Sequence, residues 1–428
     1  MRNKIQIAFD LGSYSIKSAV GRILPDGKIE ILSIAEIQSD SIDCGDIIDK
    51  DLLLSHLEIL IEKMEKDAKI NIDEDAWVSV SGRGIKSINS STRIRSRENT
   101  DFEIDDEIKQ KLLNQCSDVQ VSSDRYVLHN IEQGYYIGSS PLIRNPVGMV
   151  GKSIDAKTHV IHVRNFNLTQ LDHCFNEDLS IEPFPVFDGY AASSSNLTHD
   201  EKDLGVIFID IGSDKTNILF FKDNYLIHSK VIPMGSKYVT KDIAAYLQTS
   251  IKEAERVKIE NVSAFADFAD EENIFEIEIP NDDLKKNVNE KEISKIVELR
   301  FEDVIDQVLI QVKSIGKSVT DFKSGIKISG GGSKMRNLDL LFKKHFADVP
   351  IDFMKLNNIV YKENLEDKRE LITLIGLLAW PIFNVEDKSS SLQLKDIGSL
   401  RKSISSLWKG IFEQFWLATI KKDGSRFH

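Results

Sequence analysis

One strand-turn-strand phrase occurs twice in this chain, and its two copies constrain the fold more than any other feature. Val206–Phe221 reads VIFIDIGSDKTNILFF, an apolar run that ends at Asp210, turns through Gly212 to Thr216 and continues as a second apolar run. Ile5–Val20, IQIAFDLGSYSIKSAV, keeps the same order, with Asp10-Leu11-Gly12-Ser13 where the later copy has Asp210-Ile211-Gly212-Ser213. A repeat of this kind predicts two similar halves facing each other, with the cleft between them as the candidate site.

Each tight turn offers backbone N–H groups and small side chains to a phosphate, and glycine lets the main chain come close. Asp10 and Asp210, at the strand ends, are suited to the water shell of Mg2+, a hard ion that uses few carboxylates. A single copy would be an ordinary turn, but two facing copies predict a clamp for a nucleoside triphosphate. A third wall is expected from Ser324–Leu338, SGIKISGGGSKMRNL, read as a strand, the run Gly330-Gly331-Gly332 and a helix starting near Ser333. There the backbone and the helix dipole would meet an adenine or a phosphate.

The 428 residues suffice for two or more domains, and a net charge of −13 argues against a nucleic-acid partner, which needs a basic face. Cys44, Cys116 and Cys174 lie far apart with no histidine at ligand spacing, which predicts a reducing cytosol and no zinc. The N-terminus enters a strand at once, so no signal peptide is expected.

Along the chain, Lys28–Glu36 reads as an edge strand, Leu52–Lys66 as a helix with one buried face, and Ala76–Ser81 as a strand. Residues 83–165 change texture and read as an inserted small domain with a helix near Glu107–Cys116. A helix follows at Asn167–Asp178, and small residues at 191 to 195 predict a helix packed close to a neighbour. Thr240–Lys258 reads as one helix on which Glu255 and Lys258 share a face, and another is expected at Glu292–Ser314. Leu371–Phe383 is too short to span a bilayer and is expected to be a core helix.

The tail differs. After a Ser-, Asp- and Lys-rich linker at 384–402, Leu407, Trp408, Ile411, Phe412, Phe415 and Trp416 fall on one helical stripe within Ser403–Lys421. Six basic and two acidic residues from Ser399 to His428 reverse the local charge. Aromatic and basic faces together predict a helix lying in a membrane interface, each basic residue adding about 1 kcal/mol near anionic lipid. One such helix binds reversibly, so stable attachment would need several tails held together.

With these features, the chain resembles the actin, sugar-kinase and Hsp70 superfamily and, within it, the bacterial cell-division FtsA family along nearly its whole length. The resemblance is carried by the two hairpins, the glycine run, the helix containing Glu255-Arg256-Val257-Lys258, Ser81-Gly82, Ile85–Asn89, Leu128-His129, Asn145–Met149, Val231–Gly235, Thr240, Asp242–Ala244 and the terminal amphipathic stretch. It implies an α/β, actin-like (ribonuclease H-like duplicated) fold. The implied subdomains are 1A at 1–82 and 166–204, an SHS2-like 1C at 83–165, 2A at 205–240 and 325–383, and 2B at 241–324, followed by the linker and a membrane-targeting helix at 403–428. It also implies ATP and Mg2+ in the cleft, protofilaments of the protein with itself on the cytoplasmic face of the inner membrane at the division site, and contact with lipid. The implied partners are the FtsZ C-terminal tail at 2B, with basic positions around Lys291 and Arg300, and FtsN and other late division proteins at 1C.

Carried over residue by residue, the resemblance gives catalytic roles to Asp10, Asp188 and Asp210. The implied nucleotide contacts are Gly12, Ser13, Tyr14, Lys17, Gly212, Ser213, Lys215, Thr216, Glu255, Lys258, Gly330, Gly331, Gly332 and Met335. Relatives usually read D-I-G-G-G-T-T-D in the second turn, where this chain has Ser213, Asp214, Lys215 and Asn217. A carboxylate ~4 Å from a phosphate charge would cost about 4 kcal/mol at an effective dielectric near 20. Asp214 must therefore point away, pair with Lys215 or weaken binding, and slow or absent turnover is expected. The alternatives are a small-molecule kinase on the same fold, with Asp188 as base, and a PilM-like pilus adaptor. An Hsp70-type chaperone is not expected, since no substrate-binding domain follows.

Overall fold

Val206–Ile211 is buried at every position, and its alternation sends the two faces to different places. In a computed structural model, which describes residues 5–72, 75–118, 121–278, 285–356 and 359–383, Val206 and Phe208 join the core of one half while Ile207, Ile209 and Ile211 join the core of the other. The antiparallel partner Thr216–Lys222 divides in the same way, Leu219 and Phe221 on one side and Ile218 and Phe220 on the other. Period-two burial on both faces is what a strand between two packed layers requires.

Each half is a sheet built on one copy of the repeat. In the first, Ile5–Leu11 pairs antiparallel with Ser15–Ile23 and parallel with Ala76–Val80. In the second, Val206–Ile211 pairs antiparallel with Thr216–Lys222 and parallel with Ile326–Ser329. The outer strands complete sheets of six and five strands. The inserted domain is a three-stranded sheet of Lys86–Arg95, Ser153–Arg164 and Arg125–Ile137, with the helix Asp106–Ser117 against it and its own small core around Leu112, Cys116 and Tyr135.

Several local expectations are corrected. Ile29–Gln38 is not an edge, because Ile359–Val360 pairs along its outer side. The stretch from Thr240 to Lys258 is two helices, Ser236–Leu247 and Ile251–Glu260. Gln248 adopts the left-handed conformation (φ 55°) that ends the first, and the Ser250 hydroxyl accepts the Glu253 N–H to start the second. No α-helix begins at Ser333; Gly331–Lys334 is a 3-10 turn and the helix runs Leu338–His345, with left-handed Asn337 between them. The division that gives 325–383 to subdomain 2A also fails at its end, because Ile372–Phe383 packs in the first core beside Asp188–Asn196 and the first hairpin. That packing is close: a Cβ on Gly376 would lie 2.2 Å from the Ala191 carbonyl oxygen, so the small residues at 191 to 195 meet a glycine. The tail residues from Leu407 to Trp416 lie outside the described residues. Among the described residues, no helix is long and apolar enough to cross a membrane.

Candidate nucleotide-binding site

The duplicated pairing brings the ends of both repeat strands to the same cleft, and their aspartates are tied down by hydroxyls from the neighbouring parallel strands. The Ser79 hydroxyl donates to Asp10 Oδ1 (3.1 Å) and accepts the Leu11 N–H (2.8 Å). In the second half the Ser329 hydroxyl donates to Asp210 Oδ1 (2.8 Å), and the Asn217 amide lies 3.4 Å from Oδ2. These serines sit at matching places in the two sheets. Nothing in the local sequence of Ser79 or Ser329 marks them, because the partner is fixed by strand pairing across 69 and 119 residues.

Burial raises both carboxyls. The Asp210 carboxyl is pushed up to about 6 by desolvation, with the Asp188 charge acting in the same direction. The Asp10 carboxyl is also raised by burial, and Lys17 pulls it back. Lys17 stands opposite Asp10 in the ladder, buried on Ser15–Ile23. Asp188 opens the helix Asp188–Asn196, accepts the Gly189 N–H (2.8 Å), and forms an ion pair with Lys215 from the second turn.

Asp214 points away from the cleft. It accepts the Cys44 N–H (3.1 Å) and lies 3.3 Å from the Lys237 ammonium. Of the three possibilities the sequence left, the first applies, and the two charged residues of the turn reach across to the other half: Asp214 to the loop at Cys44, and Lys215 to Asp188.

The second turn is held by the start of the helix Ser236–Leu247. The Gly212 and Ser213 carbonyls accept the Ser236 and Lys237 N–H groups, each at 2.9 Å. Lys258 pairs with Glu255 (2.6 Å), donates to the Thr240 hydroxyl (2.9 Å) and comes within 3.5 Å of the Ser236 carbonyl. Burial lowers the Lys258 pKa and Glu255 partly restores it. Ser236 thus links Glu255 and Lys258 to Gly212, and Gly332 joins them, since a Cβ there would lie 3.2 Å from Ser236 Cβ. Thr216 is buried, with its hydroxyl donating to the Met234 carbonyl (2.7 Å). Arg369 steadies the glycine turn by donating to the Ser333 carbonyl (3.0 Å) while stacking 3.7 Å over Phe353. Gly331 has open space around its Cβ position.

Two predicted contacts sit apart from this cluster. The Met335 side chain packs in the second core, and Tyr14 is exposed, its carbonyl accepting the Ser39 N–H. Among the described residues, no three His, Cys, Asp or Glu side chains are arranged to hold a metal ion. The carboxylates Asp10, Asp188 and Asp210 instead share the field of the Lys215 ammonium. Away from this cluster, Lys291 pairs with Glu271, and Arg300 is held by both oxygens of Asp242 (2.6 and 3.0 Å).

Sequence models of two families match the chain: "Cell division protein FtsA" over residues 207–373 and "SHS2 domain inserted in FTSA" over residues 82–162. A curated cell division protein FtsA of Pseudomonas aeruginosa is 27% identical over 404 residues, covering 92% of this chain and 93% of that one. The FtsA of Bacillus subtilis is 28% identical, covering 78% and 74%. The chain belongs to the FtsA family. Among solved structures, the PilM-PilN type IV pilus biogenesis complex matches with a TM-score of 0.61 at 13% identity, covering 88% of this chain and 98% of that one. MreB 5 of Spiroplasma citri bound to AMPPNP matches with 0.53 at 14%, covering 91% and 98%. These likenesses establish the actin-like fold; at such identities they carry nothing about PilM-type function.

Proposed function

We propose that this protein is an actin-like cell-division protein that binds ATP in the cleft, polymerises on the cytoplasmic membrane face and ties FtsZ filaments to the membrane while recruiting later division proteins such as FtsN. What supports this reading most is the combination of two facing Asp-x-Gly turns with an inserted domain matched by the SHS2 model. The nucleotide assignment draws on the gathering of the second turn, Gly332 and Lys258 around Ser236, and on the Lys215 charge that Asp10 and Asp210 share. A divalent ion at Asp10 and Asp210 would compete with Lys215. Turnover is expected to be slow, because the second turn carries Ser213, Asp214, Lys215 and Asn217 where relatives usually read Gly, Gly, Thr and Asp.

The test uses purified full-length protein, liposomes containing anionic lipid and a labelled peptide of the FtsZ C-terminal tail. The peptide is expected to float with liposomes only when the protein is present, and ATP is expected to yield filaments by electron microscopy. A peptide that stays in solution would sink the tethering role. Trp408→Ser combined with Trp416→Ser is expected to lower the floated fraction by at least ~10-fold, since two interfacial aromatics are removed from the apolar face. Full flotation of the double variant would place the membrane contact elsewhere.

A further inference from the structure

We infer that Lys215 is the cleft's built-in counter-ion for the triphosphate, filling the role that the sequence alone assigns to a divalent cation. The inference rests on the nucleotide reading above and assigns that site a recognition residue of its own. The Lys215 ammonium pairs with Asp188, and its charge acts on both Asp10 and Asp210, so one cation answers three carboxylates supplied by both halves. The Lys215 and Asp188 side chains are 13% and 6% exposed, which shields the pair from water and salt.

Comparison of the two hairpins explains why a lysine belongs there. In the first ladder Asp10 faces Lys17, so that hairpin carries its own positive charge. In the second, Asp210 faces Asn217, which is neutral. Lys215, two positions earlier in the turn, supplies the missing charge, and each repeat then contributes one lysine. An ammonium is a compact charge with three rotatable donors, suited to meeting phosphate oxygens at a turn. When the triphosphate enters, Lys215 exchanges its bond to Asp188 for bonds to phosphate, and nucleotide binding therefore requires little Mg2+.

The test is calorimetric titration of ATP into the full chain, once with Mg2+ and once with EDTA. The wild-type Kd is expected to differ by less than about 3-fold between the two, well below the cost of losing one charge-assisted contact. Lys215→Thr is expected to bind about 10- to 100-fold more weakly in EDTA, the loss of one charge-assisted contact, and to regain most of that affinity with Mg2+. Lys215→Arg, which keeps the charge, should behave as the wild type in EDTA. A wild-type protein that binds ATP only with Mg2+, or a Lys215→Thr variant indifferent to EDTA, overturns the inference and leaves the nucleotide reading standing. Absence of ATP binding by the wild type in both buffers overturns both. Should Lys215→Thr fail to fold, the wild-type pair of titrations still decides.

Discussion

Gly330→Val is expected to abolish ATP binding and to lower stability by about 3 kcal/mol or more, through strain and overlap in a packed turn. Gly330 has φ +85°, a conformation that favours glycine, and a Cβ there would lie 2.4 Å from the Ile211 carbonyl oxygen and 2.6 Å from Asp210 Oδ1. Neither neighbour can retreat. Ile211 is in the central strand of the second sheet, and Asp210 is fixed by Ser329. The strain therefore lands on the carboxylate that faces the cleft. Gly331→Ala is the matched control, since its Cβ would meet nothing within 4 Å. Urea denaturation and ATP titration of the two variants should separate widely; equal stabilities would show that the glycine turn is not held against Asp210.

Asp210→Asn should stabilise the nucleotide-free protein at neutral pH. The folded-state carboxyl is raised to about 6 from 3.8. A raised group contributes stability that is fully present below the unfolded pKa and is lost as pH rises through the folded value. At pH 7.5 the wild type thus bears a penalty on the order of 3 kcal/mol that asparagine removes, and at pH 5 the difference should fall to about half. The Asn217 amide oxygen, buried without a partner, can turn to accept from the new amide. Denaturation at the two pH values checks the sign. A gain that does not shrink on acidification would mean that burial of the charge is not its source.

The two-half architecture was legible because the signal is local and repeated: apolar runs at matching spacing, each ending in Asp-x-Gly. The close helix pair was half legible, since Ala191 to Ser195 announce a tight contact but only the fold supplies Gly376. What could not be read depends on partners far away in sequence. The destination of Asp214 is set by Cys44, 170 residues earlier, and that of Lys215 by Asp188 on a helix of the other half. The break at Gln248 to Ser250 had a visible cap residue in Ser250, but helix propensity on both sides outweighed it in a reading without tertiary bonds. The return of Ile372–Phe383 to the first core has no local mark, because an all-apolar helix does not say which core it fills.

The inserted domain branches from the first half yet is stitched to the second. The Ser87 hydroxyl donates to the Ser229 carbonyl (2.7 Å), the Asn89 and Gln133 amides donate to the Ile227 and Leu226 carbonyls (3.0 and 2.7 Å), and the Ser229 hydroxyl meets His159 Nε2 (2.8 Å). Burial holds the His159 pKa at about 3, so this seam keeps one protonation state through the physiological range. Any scissoring of the two lobes must shear these bonds or carry the insertion along as a strut. A protein that grips the insertion from outside would thereby sense whether the jaws are open or shut.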